Sequence, residues 1–259
     1  MVKTADELAL MRVSGSLLAS VFEMLDTLDL AGMSTLQVND LVECFITIDL
    51  AARPASKGQY GFEYVLNCSI NDVVCHGQPD PQEIIRDGDL INLDITLEKN
   101  GFIADSSKTY LVGKASPAAE RLVRVAREAM WKGIRQVRPG AYLGDIGYAI
   151  ERHAKRNGYT IVREYCGHGI GRDMHEEPQV PNFGRPGTGP KLREGMVFTI
   201  EPMLNQGTRR VSTREDGWTV VTNDRKLSAQ FEHTVAVTKK GVDVLTLRRD
   251  EMAMLERTA

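Results

Sequence analysis

Polar and apolar positions change period twice along this 259-residue chain. Thr4-x-x-Glu7 reads as a capping box that opens an amphipathic helix through about Leu28. Ser34-x-x-Gln37 opens a second helix, which ends before Arg53-Pro54 because the residue before a proline is pushed out of the helical region. A loop with Gly58 and Gly61 leads into strand-like segments: Tyr64 to Cys68, Val73 to Cys75, and a long pair from Leu90 to Val112. The order then restarts. Ser116-Pro117 supplies an N-cap and a first-turn proline for a helix to about Val137, and another helix runs from about Gly144 to Asn157, stopped by Gly158. Strands return near Thr160 to Tyr165, Met196 to Met203, Thr219 to Val221 and Gln230 to Val237. Helix, helix, strands, given twice, predicts an α+β fold of two similar halves, about 5–112 and 116–245, within one catalytic domain over 1–259.

Composition changes this picture little. With 42% hydrophobic and 26% charged residues the chain is ordinary globular material, and a formal net charge of -3 gives no bulk attraction to nucleic acid or anionic membrane. Cys44, Cys68, Cys75 and Cys166 are scattered without metal-ribbon spacing, which suits reduced thiols in a cytoplasmic protein. The N-terminus lacks a signal pattern, and the apolar stretch around Phe45 to Ala52 contains Asp49 and is too short to span a bilayer, so no membrane role is expected.

Candidate chemistry sits on the strands. In Leu90 to Leu97 the odd positions are apolar and Asn92, Asp94 and Thr96 face the other way. Asn100-Gly101 marks a two-residue hairpin, which sets Lys99 opposite Phe102 and Thr96 opposite Asp105. Asp94 and Asp105 then become diagonal neighbours about 7–8 Å apart at the backbone, close enough to reach a pair of ions about 3.5–4 Å apart. Alone, such a pair is better read as a solvated strand face, since antiparallel sheets often keep one face wet. Glu201 after Met196-Val197-Phe198-Thr199-Ile200, Glu232 between Phe231 and His233, and His168 wrapped by Gly167, Gly169 and Gly171 argue against that. Four carboxylates and one imidazole in apolar surroundings suit divalent ions better than a structural zinc. No HExxH motif is present. Of the other histidines, His153 lies on a polar helix and His233 beside a ligand candidate, which leaves His76 and His175 for substrate.

Four phrases together resemble one family: Ser69-Ile70-Asn71-Asp72-Val73-Val74-Cys75-His76-Gly77, Cys166-Gly167-His168-Gly169-Ile170-Gly171, Phe198-Thr199-Ile200-Glu201-Pro202 and Ser228-Ala229-Gln230-Phe231-Glu232-His233-Thr234. The chain resembles type I methionine aminopeptidases of the bacterial kind from its first helix to about Thr246. The resemblance implies a pita-bread fold, with two halves related by a pseudo-twofold axis and metals between them. It implies Asp94, Asp105, His168, Glu201 and Glu232 as ligands of two divalent ions (Fe(II), Mn(II), Co(II) or Zn(II)), Asp105 and Glu232 bridging, His168 and Glu201 on one ion and Asp94 on the other. It further implies Glu201 as proton shuttle, His175 at the carbonyl oxygen, and His76 on the substrate amide. The methionine pocket would draw on Phe62, Tyr60, Cys68 and Trp218, with Met174 and Gln59 standing where the family often has aromatics. Asn71, Val73 and Ser228 match positions of an optional monovalent cation.

The substrates so implied are nascent polypeptides whose initiator methionine precedes a small residue, cleaved by a cytoplasmic monomer. Arg209, Arg210, Arg214, Arg225 and Lys226, interleaved with Glu215, Asp216 and Asp224, read first as a solvated loop; the resemblance implies instead a contact with ribosomal RNA near the exit tunnel. Val2 is small, so the chain's own Met1 is a possible substrate. Prolidase-like enzymes share the half-and-half fold but carry a large N-terminal domain, and a type II enzyme needs a helical insertion for which the segment between Glu201 and Glu232 leaves no room.

Overall fold

Both capping boxes form as the sequence predicts. In the computed structural model, which describes residues 2–256, Thr4 caps α1 (Ala5–Leu25): its hydroxyl accepts from Glu7 N, and the Glu7 carboxylate accepts from Thr4 N. Ser34 and Gln37 repeat the device for α2 (Thr35–Cys44), whose end widens into a π-helical turn over Phe45–Asp49. Met1 and its removal lie outside the described residues. Strands β1 (Arg53–Pro54), β2 (Leu66–Ile70), β3 (Val73–Cys75), β4 (Leu90–Lys99) and β5 (Phe102–Leu111) follow. Ser116 then caps α3 (Pro117–Ile134), and α4 (Leu143–Arg156) ends before Gly158 at φ 81°. The remaining strands are β6 (Thr160–Ile161), β7 (Gly167–Gly169), β8 (Glu176–Val180), β9 (Val197–Ile200), β10 (Met203–Asn205), β11 (Val211–Thr213), β12 (Val220–Thr222), β13 (Ser228–Gln230), β14 (Glu232–Thr238) and β15 (Gly241–Val244), before a short α5 (Met252–Glu256).

The main sheet runs β1-β4-β5-β14-β9-β7-β8, with β2 also on β4 and β15 also on β14. β5 and β14 pair near its centre and join the two halves there. One face carries two apolar clusters. Ile91, Leu93, Ile95 and Leu97 of β4 pack with Leu18 and Phe22 of α1 and Val38 of α2. Phe198 and Ile200 of β9 and Val235 and Val237 of β14 pack with Leu122 and Trp131 of α3 and Ile150 of α4. Because side chains alternate along a strand, the intervening polar residues are driven to the opposite face. That opposite face is where the two small sheets, β13-β10-β6 and β11-β12-β3, bring further residues.

Three details differ from the sequence reading. The runs expected as single strands at Met196–Met203 and Gln230–Val237 each break in two. Pro202 cannot donate to a ladder, so β9 stops at Ile200 and β10 starts at Met203, and β13 and β14 part at Phe231 opposite the same point. Glu201 therefore sits at a bend and Glu232 begins a strand. The short strands β1, β7, β11 and β15 were not anticipated, nor was β8, since Glu176-Glu177-Pro178-Gln179 carries little strand signal; β8 is an edge strand, where a proline is tolerated. Finally, α1 is a longer apolar stretch than Phe45 to Ala52, and by length and composition alone it could cross a membrane. Here Leu18, Val21, Phe22 and Leu25 are buried in the core under β4, as in the central helix of a soluble domain.

A buried ionic network backs the sheet from the helix side. Glu251 accepts from Arg248 Nε (2.9 Å) and Nη2 (3.1 Å), from His233 Nε2 (2.9 Å) and from Arg127 Nε (3.2 Å). Burial alone would raise this carboxyl; His233 and Arg248 facing it hold it well below the usual carboxylate range. Arg248 Nη1 also donates to Ser106 Oγ (3.0 Å), which donates to the Glu232 carbonyl (2.7 Å). Glu251→Ala would strand the Arg248 guanidinium, 1% exposed, without its counter-ion. It is expected to lower the unfolding free energy by about 3–5 kcal/mol, read as a shift of the urea midpoint. A shift of under 1 kcal/mol would mean that water or a rearranged acid replaces Glu251.

Candidate metal centre and active site

The hairpin register is the one the sequence predicts. Asn100 (φ 57°) and Gly101 (φ 77°) form the two-residue turn, Lys99 faces Phe102 and Thr96 faces Asp105. Two left-handed residues in a row are what such a turn demands, hence Asn-Gly. Asp94 faces Ser107 across the hairpin, and Ser107 faces Glu232 across β5 and β14. Opposed residues share a face, so Asp94, Asp105 and Glu232 point to the same side. Thr234, two residues after Glu232, faces Thr199 of β9. Thr199 then ties in the last two residues: its hydroxyl accepts from His168 N (3.0 Å) and donates to Glu201 Oε1 (2.8 Å). Five residues scattered over the chain thus arrive on one face, away from the helices. The sequence reading did not single out Thr199, although its place two residues before Glu201 fixes it on that face.

Electrostatics explain what this arrangement can hold. Asp105, His168 and Glu232 offer ligand atoms that all lie within 4.8 Å of one another. His168 Nε2 is 3.7 Å from Asp105 Oδ2 and 3.6 Å from Glu201 Oε1. Its Nδ1 lies 3.0 Å from the Gly169 carbonyl, which can only accept, so Nδ1 carries the proton and Nε2 turns a lone pair toward the carboxylates. Asp105 Oδ1 and Glu232 Oε1 are buried with no hydrogen-bond partner. Against protein groups alone, burial lifts Asp94 to about 6 and Glu201 to about 8. Burial, reinforced by the neighbouring carboxylates, pushes Asp105 and Glu232 well above the ordinary range. Burial, then His175, lowers His168 to about 4 and keeps its ring neutral. Converging carboxylates, two of whose oxygens have no donor, are unfavourable alone and satisfied together by cations. Oxygen-rich sets with one imidazole suit divalent ions, so the residues fit the metal that the sequence implies.

A cavity of ≈ 540 Å³ stands over this face. Phe62 and Trp218 meet in its wall with ring centroids 5.1 Å apart, and Met174 and Met203 add apolar surface. His76 sits at φ 56°, just after β3, with its ring edge-on to Tyr165 at 5.4 Å and to Trp218 at 6.5 Å. Burial, then His175, lowers His76 to about 4. Gly77 follows because a Cβ there would lie 1.9 Å from the Cys68 carbonyl oxygen. The His175 ring lies 4.4 Å from that of His168, and burial lowers its pKa as well. Tyr60 and Gln59 also line the cavity, Tyr60 at its exposed rim.

One pocket residue expected from the sequence is corrected. Cys68 does not line the cavity: it is 1% exposed, belongs to the core under β4, and points its thiol toward the Thr35 carbonyl. Alternation along β2 puts its neighbour Asn67 in the cavity instead, opposite Asp94 and hydrogen-bonded to that carboxylate. Tyr165 was also missed; its place two residues before the Gly167-His168-Gly169 strand was the available signal. Asn71 (φ 55°) and Ser228 meet, Ser228 N donating to the Asn71 carbonyl (2.9 Å), while Val73 is buried in β3 and Ser228 Oγ is buried without a partner.

Known proteins carry the same chain plan. The model of metallopeptidase family M24 matches residues 9–239. Methionine aminopeptidase B of Synechocystis is 48% identical over 248 residues, covering 94% of this chain and 90% of the relative. The methionine aminopeptidase of Salmonella typhimurium is 46% identical over 250 residues, covering 96% of this chain and 95% of the relative. The crystal structure of methionine aminopeptidase from Rickettsia prowazekii superposes with a TM-score of 0.93 at 44% identity, over 95% of this chain and 99% of that one. With its two halves of helices and antiparallel strands in the pita-bread arrangement, and with carboxylates and a histidine converging between them, this chain belongs to metallopeptidase family M24.

Proposed function

We propose that this chain is a metal-dependent methionine aminopeptidase that removes the initiator methionine from polypeptides whose second residue is small. The observation that carries the reading is the set of acceptors on one sheet face, with Asp105 Oδ1 and Glu232 Oε1 unpartnered, at the floor of a cavity walled by Phe62, Trp218 and Met203. Asp94, Asp105, His168, Glu201 and Glu232 would hold two divalent ions, which supply an acidified water and an electrophile for the scissile carbonyl. Glu201, oriented by Thr199 and held at the bend by Pro202, takes the proton from water and returns it to the leaving amine. His175 donates to the carbonyl oxygen as negative charge develops there. His76, neutral and packed against Tyr165, hydrogen-bonds the substrate amide and sets the peptide across the floor. Phe62 and Trp218 receive the methionine side chain. Asn71, Val73 and Ser228 remain the candidates for a monovalent cation.

Release of methionine from Met-Ala-Ser, with Met-Lys-Ser and Ala-Pro-Ser alongside, tests the specificity. Cleavage of Met-Ala-Ser alone is expected. Cleavage of Ala-Pro-Ser would make the chain an X-Pro peptidase, and cleavage of none would favour a binding protein.

The nascent chain is the proposed physiological substrate of a cytoplasmic monomer, and the basic segment is its proposed ribosome contact. Among the described residues Arg209 pairs with Glu164 (3.6 Å) and Arg225 with Asp72 (3.4 Å), and both arginines are exposed, so their charges remain available to phosphate. Charge reversal of Arg209 and Arg210 is expected to reduce co-pelleting with ribosomes at low salt. Unchanged pelleting contradicts the contact.

A further inference from the structure

Tyr60 sits in a conformation that a tyrosine adopts at a cost. It lies in the tight turn Gln59–Gly61 at φ 51°, preceded by Gly58 at φ 88° and followed by Gly61 at φ 87°. A left-handed non-glycine residue costs roughly 1–2 kcal/mol, and Tyr60 is 72% exposed, so little burial offsets it. Its contacts are specific. The ring stacks on His175 with centroids 5.7 Å apart and planes 22° from parallel, and its hydroxyl lies 3.3 Å from His175 Nδ1. His175 also meets the His168 ring edge-on at 4.4 Å. His175 thus contacts both a candidate metal ligand and Tyr60.

We propose that Tyr60 is a positioning residue for His175: its phenol donates to Nδ1 and so keeps the proton on Nε2, the nitrogen left to donate to the carbonyl oxygen. The inference rests on the role given to His175 above. A neutral imidazole has one N–H. If that proton sat on Nδ1, Nε2 would present a lone pair to a developing oxyanion and repel it. A hydroxyl can act as donor or acceptor, and only as donor does it enforce the useful tautomer. The strained turn holds the phenol in place before substrate arrives, so no ordering is needed during the reaction.

Tyr60→Phe keeps the stack and removes the hydroxyl. In the Zn(II)-loaded protein, ring ¹⁵N spectra of the wild type are expected to show His175 with a bare Nδ1 and a protonated Nε2, and Tyr60→Phe is expected to show mixed tautomers. Tyr60→Phe should lower kcat about tenfold with KM nearly unchanged, the loss of one hydrogen bond, and should have no further effect in a His175→Ala background. A protonated Nδ1 in the wild type overturns the proposal, as does an equal loss of kcat in both backgrounds or a change confined to KM. Wild-type kcat in His175→Ala overturns the role of His175 itself, and the ring spectra tell that failure apart from this one.

Discussion

Glu201→Gln is expected to fold like the wild type and to release methionine about 10³-fold more slowly. The amide matches the carboxylate in shape, and its oxygen can still accept from Thr199 Oγ1, so the bend at Pro202 has no reason to move. What disappears is a charge facing His168 Nε2 at 3.6 Å and the base that would shuttle the proton. The loss should fall on kcat, because Glu201 acts on the reacting water while the methionine side chain is held elsewhere. Steady-state kinetics on Met-Ala-Ser together with a thermal melt separates the two effects. Since burial holds the free carboxyl at about 8, the metal-stripped variant should be at least as stable as the stripped wild type at pH 8, where that charge is costly. A variant that keeps more than a tenth of wild-type kcat would remove Glu201 from the proton path.

Stripping the metal is expected to abolish turnover and to lower the melting temperature by an amount that grows with pH. The sign follows from the carboxylates. Set against protein groups alone, burial places Asp94 at about 6 and Glu201 at about 8, with Asp105 and Glu232 also raised. Raised in the fold above their unfolded values near 4, these groups bind more protons folded than unfolded. Their contribution to the stripped protein is therefore fully present below pH ~4 and is lost as pH rises through 6 and 8. Divalent ions bind the ionised form and neutralise it, so they help most where that penalty is largest. At free metal about 100-fold above Kd the gain is about 2.7 kcal/mol, or roughly 5–10 °C for a chain of this size. The difference between loaded and stripped melts should be small at pH 5 and near that value at pH 8. A difference that shrinks as pH rises would mean that protons and metal do not compete for these residues.

Much of the metal floor was legible because it depends on local rules. Asn100-Gly101 selects a two-residue turn, the turn fixes the register, and the register puts Asp94 and Asp105 on one face. The glycines around His168 and the proline after Glu201 marked the other two approaches. Contacts set by distant strands were less legible. Thr199 joins His168 to Glu201 only because β7 and β9 pair, and Tyr165 packs edge-on against His76, a residue far from it in sequence, in the wall of the cavity. Cys68 was misplaced by one position: the strand period of two sends Leu66 and Cys68 to the core and Asn67 to the cavity, and the Ser69-Ile70-Asn71 phrase that follows does not itself reveal that phase. β8 escaped because edge strands need neither apolar alternation nor a full set of donors. The His233, Arg248 and Glu251 network was invisible, since a charged pair distant from the site in sequence reads as surface until the fold buries it.

The most direct test is the divalent metal retained after desalting by the wild type and by the double variant Asp105→Asn, Glu232→Gln. The two amides preserve shape and remove the charges at the centre of the acceptor cluster. The wild type should retain bound metal, and the double variant, melting no lower than stripped wild type, should retain none. Equal metal in both proteins would contradict the assignment of this sheet face as the metal centre.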